Sequence, residues 1–102
     1  MNAPARLFCK YGPLKGKSFE LKETNTIGRK SDNDWVLEHH MVSSHHARIF
    51  WDEKAGCYKI EDLDSLNGTR LDGSFIRQVE SLGPLHLISF SGHEFFFQIL
   101  PG

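Results

Sequence analysis

Apolar side chains recur at alternate positions in short runs along this chain, and clusters of Gly, Asp, Asn and Ser interrupt the runs at brief intervals. A period of two, cut so often, predicts strands joined by tight turns. Residues 6–11 and 17–21, the second run alternating about Phe19 and Leu21, pair as a hairpin through the glycine-containing segment 11–16. A third strand covers 24–27. The run Gly28-Arg29-Lys30-Ser31-Asp32-Asn33-Asp34 is a turn by composition, because Asp and Asn side chains bond their own backbone. Residues 35–37 form a brief apolar strand and 38–44 a loop. Ala47, Ile49 and Trp51 share one face of a strand over 47–52, and the turn 53–56 leads into a strand over 57–63 with Tyr58 and Ile60 on one face. After a turn at 64–68, strands at 69–71 and 74–76 flank Asp72-Gly73, the strongest hairpin signal in the chain. Residues 78–84 read as irregular. Two last strands, 85–90 and 94–100, lie about Ser91-Gly92-His93, with Phe95, Phe97 and Ile99 toward the core. No ten-residue stretch carries a helical period, so the ten or eleven short strands predict a β-sandwich or barrel.

Composition narrows the function classes. The 102 residues suit a single domain, with 39% hydrophobic and 25% charged residues. Eight Phe and two Trp beside nine Gly favour strands and tight turns. No repeat, low-complexity segment or linker divides the chain. A formal charge of −1 rules out a global basic field for nucleic acid, so any anion site must be local. Cys9 and Cys57 are too few for a disulfide framework and read as reduced, small apolar residues. The segment Met1-Asn2-Ala3-Pro4-Ala5-Arg6 has no apolar secretory region, and no run approaches the roughly 20 apolar residues a membrane span needs. A cytoplasmic setting without membrane contact is expected, or a nuclear one in a eukaryote.

Three polar turn segments carry the candidate chemistry. Gly28 ends a strand where only a residue without Cβ moves freely, and Arg29 then presents a planar, permanently charged fork suited to phosphate or carboxylate. Ser43 and Ser44 supply hydroxyls and backbone N–H groups that can form an anion-binding concavity, or can satisfy one another within a serine-rich turn. His45 and His46 begin the next strand, and His46 reads as a packed residue that bonds nearby backbone. Asn67-Gly68 is a turn signal, and Asn67 can instead offer an amide donor and acceptor together to a ligand's main chain. His39, His40, His45 and His46 match no zinc spacing, so no metal or other cofactor is expected.

In this order the segments Ile27-Gly28-Arg29, then Val42-Ser43-Ser44-His45-His46-Ala47-Arg48-Ile49, then Asp62-Leu63-Asp64-Ser65-Leu66-Asn67-Gly68-Thr69 with Gly73 closing the next turn, make the sequence resemble the forkhead-associated (FHA) domain family. The resemblance runs from about Arg6 to Leu100, within one FHA-like domain spanning 1–102. It implies an all-β, eleven-stranded sandwich of two mostly antiparallel sheets, with a phosphothreonine-binding surface made of loops at one end. On the matching positions it implies that Arg29 and Ser43, with Ser44 beside them, hold phosphate, and that Asn67 holds the peptide main chain. Gly28, His46, Gly68 and Thr69 would support the site. Leu66 departs from the small hydroxyl residue usual at its position. It would line the pocket with apolar contact and bear on affinity and on threonine-over-serine selectivity. Pro84-Leu85-His86 likewise replaces a common Gly-Asp, a surface difference. The implied partner is a phosphothreonine-containing protein, and the isolated domain is expected to be a monomer.

Two rivals belong to other classes. A module of the same fold that docks or dimerises without phosphate is suggested by Leu66. A hydrolase using Ser43 or Ser44 with His45 or His46 is disfavoured, because adjacent residues on one strand rarely aim at one another as nucleophile and base must.

Overall fold

The computed structural model describes residues 2–101. Among them eleven strands and no helix are formed: β1 (Ala5–Tyr11), β2 (Ser18–Glu20), β3 (Thr24–Gly28), β4 (Trp35–Val36), β5 (Ala47–Asp52), β6 (Cys57–Asp62), β7 (Thr69–Leu71), β8 (Ser74–Phe75), β9 (Glu80–Ser81), β10 (Leu85–Phe90) and β11 (His93–Ile99). They make a sandwich, as expected. One sheet has the order β2-β1-β11-β10-β7-β8 and the other β4-β3-β5-β6-β9. Neighbours run antiparallel except β3 and β4, which pair in parallel at Ile27–Trp35 and Gly28–Val36.

Most turns fall where composition placed them, and the backbone shows why. Asp72 and Gly73 have φ of 52° and 89°, and Ser91 and Gly92 have 46° and 86°. Positive φ at both central residues is the geometry of a type I′ turn, whose twist matches that of the strands it joins. Two expectations are corrected. Residues 78–84 are not wholly irregular, because Glu80–Ser81 pairs with β6 at Ile60 and Lys59. Leu82 N–H then donates to Tyr58 O at 2.8 Å, so a partner strand, not alternation, creates this element. His93 belongs to β11, opposite Phe90, and leaves the turn to Ser91 and Gly92. Elsewhere the predicted bounds move by a residue or so, as at 57–63 and 94–100, where the strands end at Asp62 and Ile99.

Inward positions of the two sheets form one core, with Leu7, Ile49, Tyr58, Ile60, Ile88, Phe90 and Phe97 closed to solvent. Each such side chain contributes roughly 1.5–3 kcal/mol by leaving water. The period-two pattern therefore reports directly on which sheet face is buried. Cys9 and Cys57 are free thiols. Burial raises the Cys9 thiol pKa above its ordinary value.

The two outward faces differ. On the five-stranded sheet Arg48 pairs with Glu61 at 2.6 Å and Lys59 with Asp52 at 2.8 Å, and the Arg48 guanidinium lies 4.1 Å from the centre of the Phe50 ring. On the six-stranded sheet Phe8, Phe96 and Leu87 stand in register across three adjacent strands.

Candidate functional site

The loops after β3, before β5 and between β6 and β7 meet at one rim. Gly28 makes the meeting possible. A Cβ there would run into the Ser44 carbonyl and come within 2.7 Å of Asn33 Nδ2. The bare Cα lets the two loops touch, and backbone bonds join them: Arg29 N–H to Ser43 O at 3.0 Å and Lys30 N–H to Ser44 O at 3.2 Å. Asn33 spans the same junction, donating from Nδ2 to Lys30 O at 2.9 Å and Ser44 O at 2.8 Å.

Arg29 and Ser43, expected to converge from distant points of the chain, therefore lie side by side. The exposed Arg29 side chain folds across the serine segment. Its Nε donates to Val42 O at 3.1 Å, and Nη2 lies 3.5 Å from Ser44 Oγ. The guanidinium is held at one edge and leaves donors free at the other. Ser43 Oγ accepts the Leu66 N–H at 2.9 Å, which links the second loop to the third. A hydroxyl that accepts this bond keeps its own proton to donate.

His46 is fully buried and ties all of this down. Ser43 N–H donates to its Nδ1 at 3.1 Å, so Nδ1 carries the lone pair. Nε2 therefore carries the proton and donates to Gly68 O at 2.9 Å. One imidazole thus clamps the second loop to the third, and its edge packs on Phe90. Gly68, at φ 82°, sits against the Phe75 ring, where a Cβ would come within 2.7 Å of a ring carbon.

The third loop is organised by a residue that the motif reading passed over. Asp62 accepts bonds from Ser65 N–H at 3.0 Å, Ser65 Oγ at 2.5 Å and Thr69 Oγ1 at 2.7 Å. Burial pushes the Asp62 carboxyl pKa up, but these hydrogen bonds outweigh burial and leave it below the ordinary value. Ser65 Oγ in turn accepts Gly68 N–H at 2.9 Å, and Thr69 is fully buried. The signal was present as an acid three residues before a serine, a spacing that lets a carboxylate cap its own turn. Asn33 gave only the generic signal of a turn residue.

Asn67 sits at the junction of the second and third loops. Its Nδ2 donates to Met41 O at 2.8 Å, so one donor serves the loop junction and the carbonyl with the second N–H remains. Leu66 stands 88% exposed on the lip, and Met41 is exposed nearby. His45 faces Asp32 at 3.1 Å, away from either serine hydroxyl. That contact and the nearby Lys30 charge hold the Asp32 carboxyl pKa below its ordinary value, the His45 hydrogen bond being the main cause.

Comparison with known proteins supplies the context. The FHA domain family model matches residues 25–91. The transcriptional regulatory protein EmbR of Mycobacterium tuberculosis is 40% identical over 88 residues, 85% of this chain and 22% of that protein. The chain thus spans about a fifth of the length of the curated relatives it matches. The structure of M. tuberculosis EmbR in complex with a low-affinity phosphopeptide superposes with a TM-score of 0.86 at 37% identity, covering 98% of this chain and 25% of that one. An FHA domain solved in a study of phosphothreonine-dependent interactions gives a TM-score of 0.84 at 28% identity, with 97% of this chain and 99% of that chain covered. With the motif residues gathered at one rim of this sandwich, the chain belongs to the FHA domain family.

Proposed function

We propose that the rim binds a phosphothreonine on a partner protein and has a binding role, not a catalytic one. The observation that carries the reading is the Arg29 side chain laid across Val42 and Ser44 with its outer edge open beside two serine hydroxyls. A phosphate bears about −1.5 to −2 charges and three strong acceptor oxygens at neutral pH. Arg29, Ser43 and Ser44 supply charge and donors to match. Asn67 offers its remaining amide groups to the peptide main chain, and Leu66 gives the threonine methyl apolar contact. Gly28, His46, Gly68 and Thr69 hold the loops in place. The solved EmbR complex and the phosphothreonine-dependent relative support this ligand class.

Among the described residues neither the Ser43 nor the Ser44 hydroxyl bonds a general base. Ser43 bonds His46 through its backbone N–H and not its hydroxyl, and His45 turns to Asp32. No helix among the described residues is long and apolar enough to cross a membrane. The reading extends to one domain with its core from about Arg6 to Leu100, acting as a monomer in a cytoplasmic setting. A second reading, docking without phosphate, draws on the 88% exposure of Leu66.

Calorimetric titration with a threonine peptide and its phosphorylated form separates the two. The phosphorylated form is expected to bind, and Arg29→Ala to weaken it by about 10–100-fold, since a charged hydrogen bond is worth roughly 1.5–3 kcal/mol. Equal affinity for both peptides overturns the phosphate reading.

A further inference from the structure

Asn67 and Gly68 are consecutive, and such a pair has a chemistry of its own. The side-chain carbonyl carbon of an asparagine can be attacked by the backbone nitrogen of the next residue. Glycine is the most reactive neighbour, because no Cβ shields its nitrogen and its backbone turns freely into the ring-closing shape. In this fold each group the reaction needs is engaged. The nucleophile, Gly68 N–H, donates to Ser65 Oγ at 2.9 Å. The leaving group, Asn67 Nδ2, donates to Met41 O at 2.8 Å. Gly68 O accepts the His46 Nε2 proton at 2.9 Å, and Gly68, at φ 82°, is closed on its Cβ side by the Phe75 ring. Ser65 is itself fixed, since both its N–H and its hydroxyl donate to Asp62. The peptide unit between residues 67 and 68 therefore cannot swing toward the asparagine side chain while these bonds last. Both residues are only half-buried, so water reaches them once the bonds part.

We infer that Asn67-Gly68 is a self-modification site held shut by its loop bonds, and that its opening converts residue 67 to aspartate or isoaspartate and ends phosphothreonine binding. The loss of binding rests on the phosphothreonine reading; the modification does not. When the loop opens, the Gly68 nitrogen gives up its proton and bonds to Asn67 Cγ. The Cγ–Nδ2 bond breaks, and the side-chain nitrogen leaves as ammonia, carrying that proton. Water then splits the cyclic imide. Cleavage at Cγ leaves aspartate, and cleavage at the main-chain carbonyl leaves isoaspartate, with the chain running through the former side chain. Water is the one co-reactant. Either product puts a carboxylate where an amide donor stood, so acceptor meets acceptor at Met41 O and a negative charge joins the place proposed for phosphate. A peptide bound to the remaining Asn67 amide groups keeps the loop shut, so an occupied domain outlasts an empty one.

The test ages the purified chain at mildly alkaline pH and maps residue 67 by digestion and mass spectrometry, with isoaspartate resolved from aspartate. A free peptide covering 62–73 gives the unlocked rate. The folded chain is expected to convert at least about tenfold more slowly, as a reaction confined to a rarely open state must. Ser65→Ala removes the acceptor of the Gly68 N–H and is expected to speed conversion about five- to tenfold. Ser65→Thr, which keeps a hydroxyl, should restore the slow rate. Ile88→Val, a loosened core far from these bonds in sequence, controls for general destabilisation. Conversion as fast in the chain as in the peptide, or accelerated as much by Ile88→Val as by Ser65→Ala, overturns the lock. Calorimetry on the aged chain and on Asn67→Asp is expected to show phosphothreonine-peptide affinity reduced about tenfold or more. An aged chain that binds as the fresh one does overturns the consequence for binding. A fresh chain without phosphate-dependent binding overturns the phosphothreonine reading and that consequence together, while the mapped rates still decide the lock.

Discussion

Beneath the rim, His46 and Thr69 are fully buried and bonded onward to Ser43, Gly68 and Asp62; on the lip above them, Arg29 is exposed and Leu66 is 88% exposed. The lower tier uses its hydrogen bonds to join one loop to the next. The upper tier keeps donors in reserve, since Arg29 and Asn67 each spend only part of their capacity on the protein. The contrast teaches that the geometry of the upper tier is a product of the lower one. Loops fixed from below need little further ordering when a ligand arrives. Substitutions in the two tiers should therefore fail in different ways, the lower in folding and the upper in binding.

The largest effect is expected at Gly28. Gly28→Val drives side-chain atoms into the Ser44 carbonyl and should destabilise the fold by about 3 kcal/mol or more. For a domain of this size that lowers the melting temperature by about 12 °C or more, whereas Arg29→Ala should leave it within about 2 °C. Similar melting curves for the two variants would erase the distinction between the tiers.

A middle-sized effect belongs to Asp62. Its carboxyl titrates below its ordinary value in the fold, so the unfolded chain binds its proton more readily. The stability it contributes is complete above the unfolded carboxyl pKa of about 4 and is lost as pH falls through the lower, folded value. Asp62→Asn should cost about 1–2 kcal/mol at neutral pH and flatten the acid limb of a stability–pH curve measured by denaturant unfolding. An unchanged acid limb would remove Asp62 from the lower tier.

The smallest effect sharpens the picture of the lip. Leu66→Ser should leave the melting temperature alone and strengthen phosphothreonine-peptide binding by about two- to threefold, since it adds one hydroxyl near the phosphate. A loss beyond about tenfold in the same titration would make the leucine side chain itself the main contact.

The sequence carried the strands and the order of the motif segments, because alternation and turn chemistry are local. The strand Ala47–Asp52 was readable to the residue, and Asp72-Gly73 marked its turn. Glu80–Ser81 was not readable, since two residues cannot display a period and the element exists through its pairing with β6. At the site, Arg29, Ser43 and Asn67 were legible as chemistry. Their division of labour was not, because a donor spent on Val42 or Met41 depends on which loop folds against which. Asp62 lay inside the motif segment with a local signal, an acid three residues before Ser65, but its further bond to Thr69 across the loop was not legible.

The margins of the two sheets have a consequence of their own. The outermost strands β2, β8, β4 and β9 are three, two, two and two residues long. A neighbouring chain seeking to extend either sheet would find only a residue or two of open backbone before the border ends. Fibril-like stacking needs a longer template than that. The folded domain thus offers little template for edge-to-edge polymerisation, and its half-exposed aromatic face is left as the surface through which copies would stick.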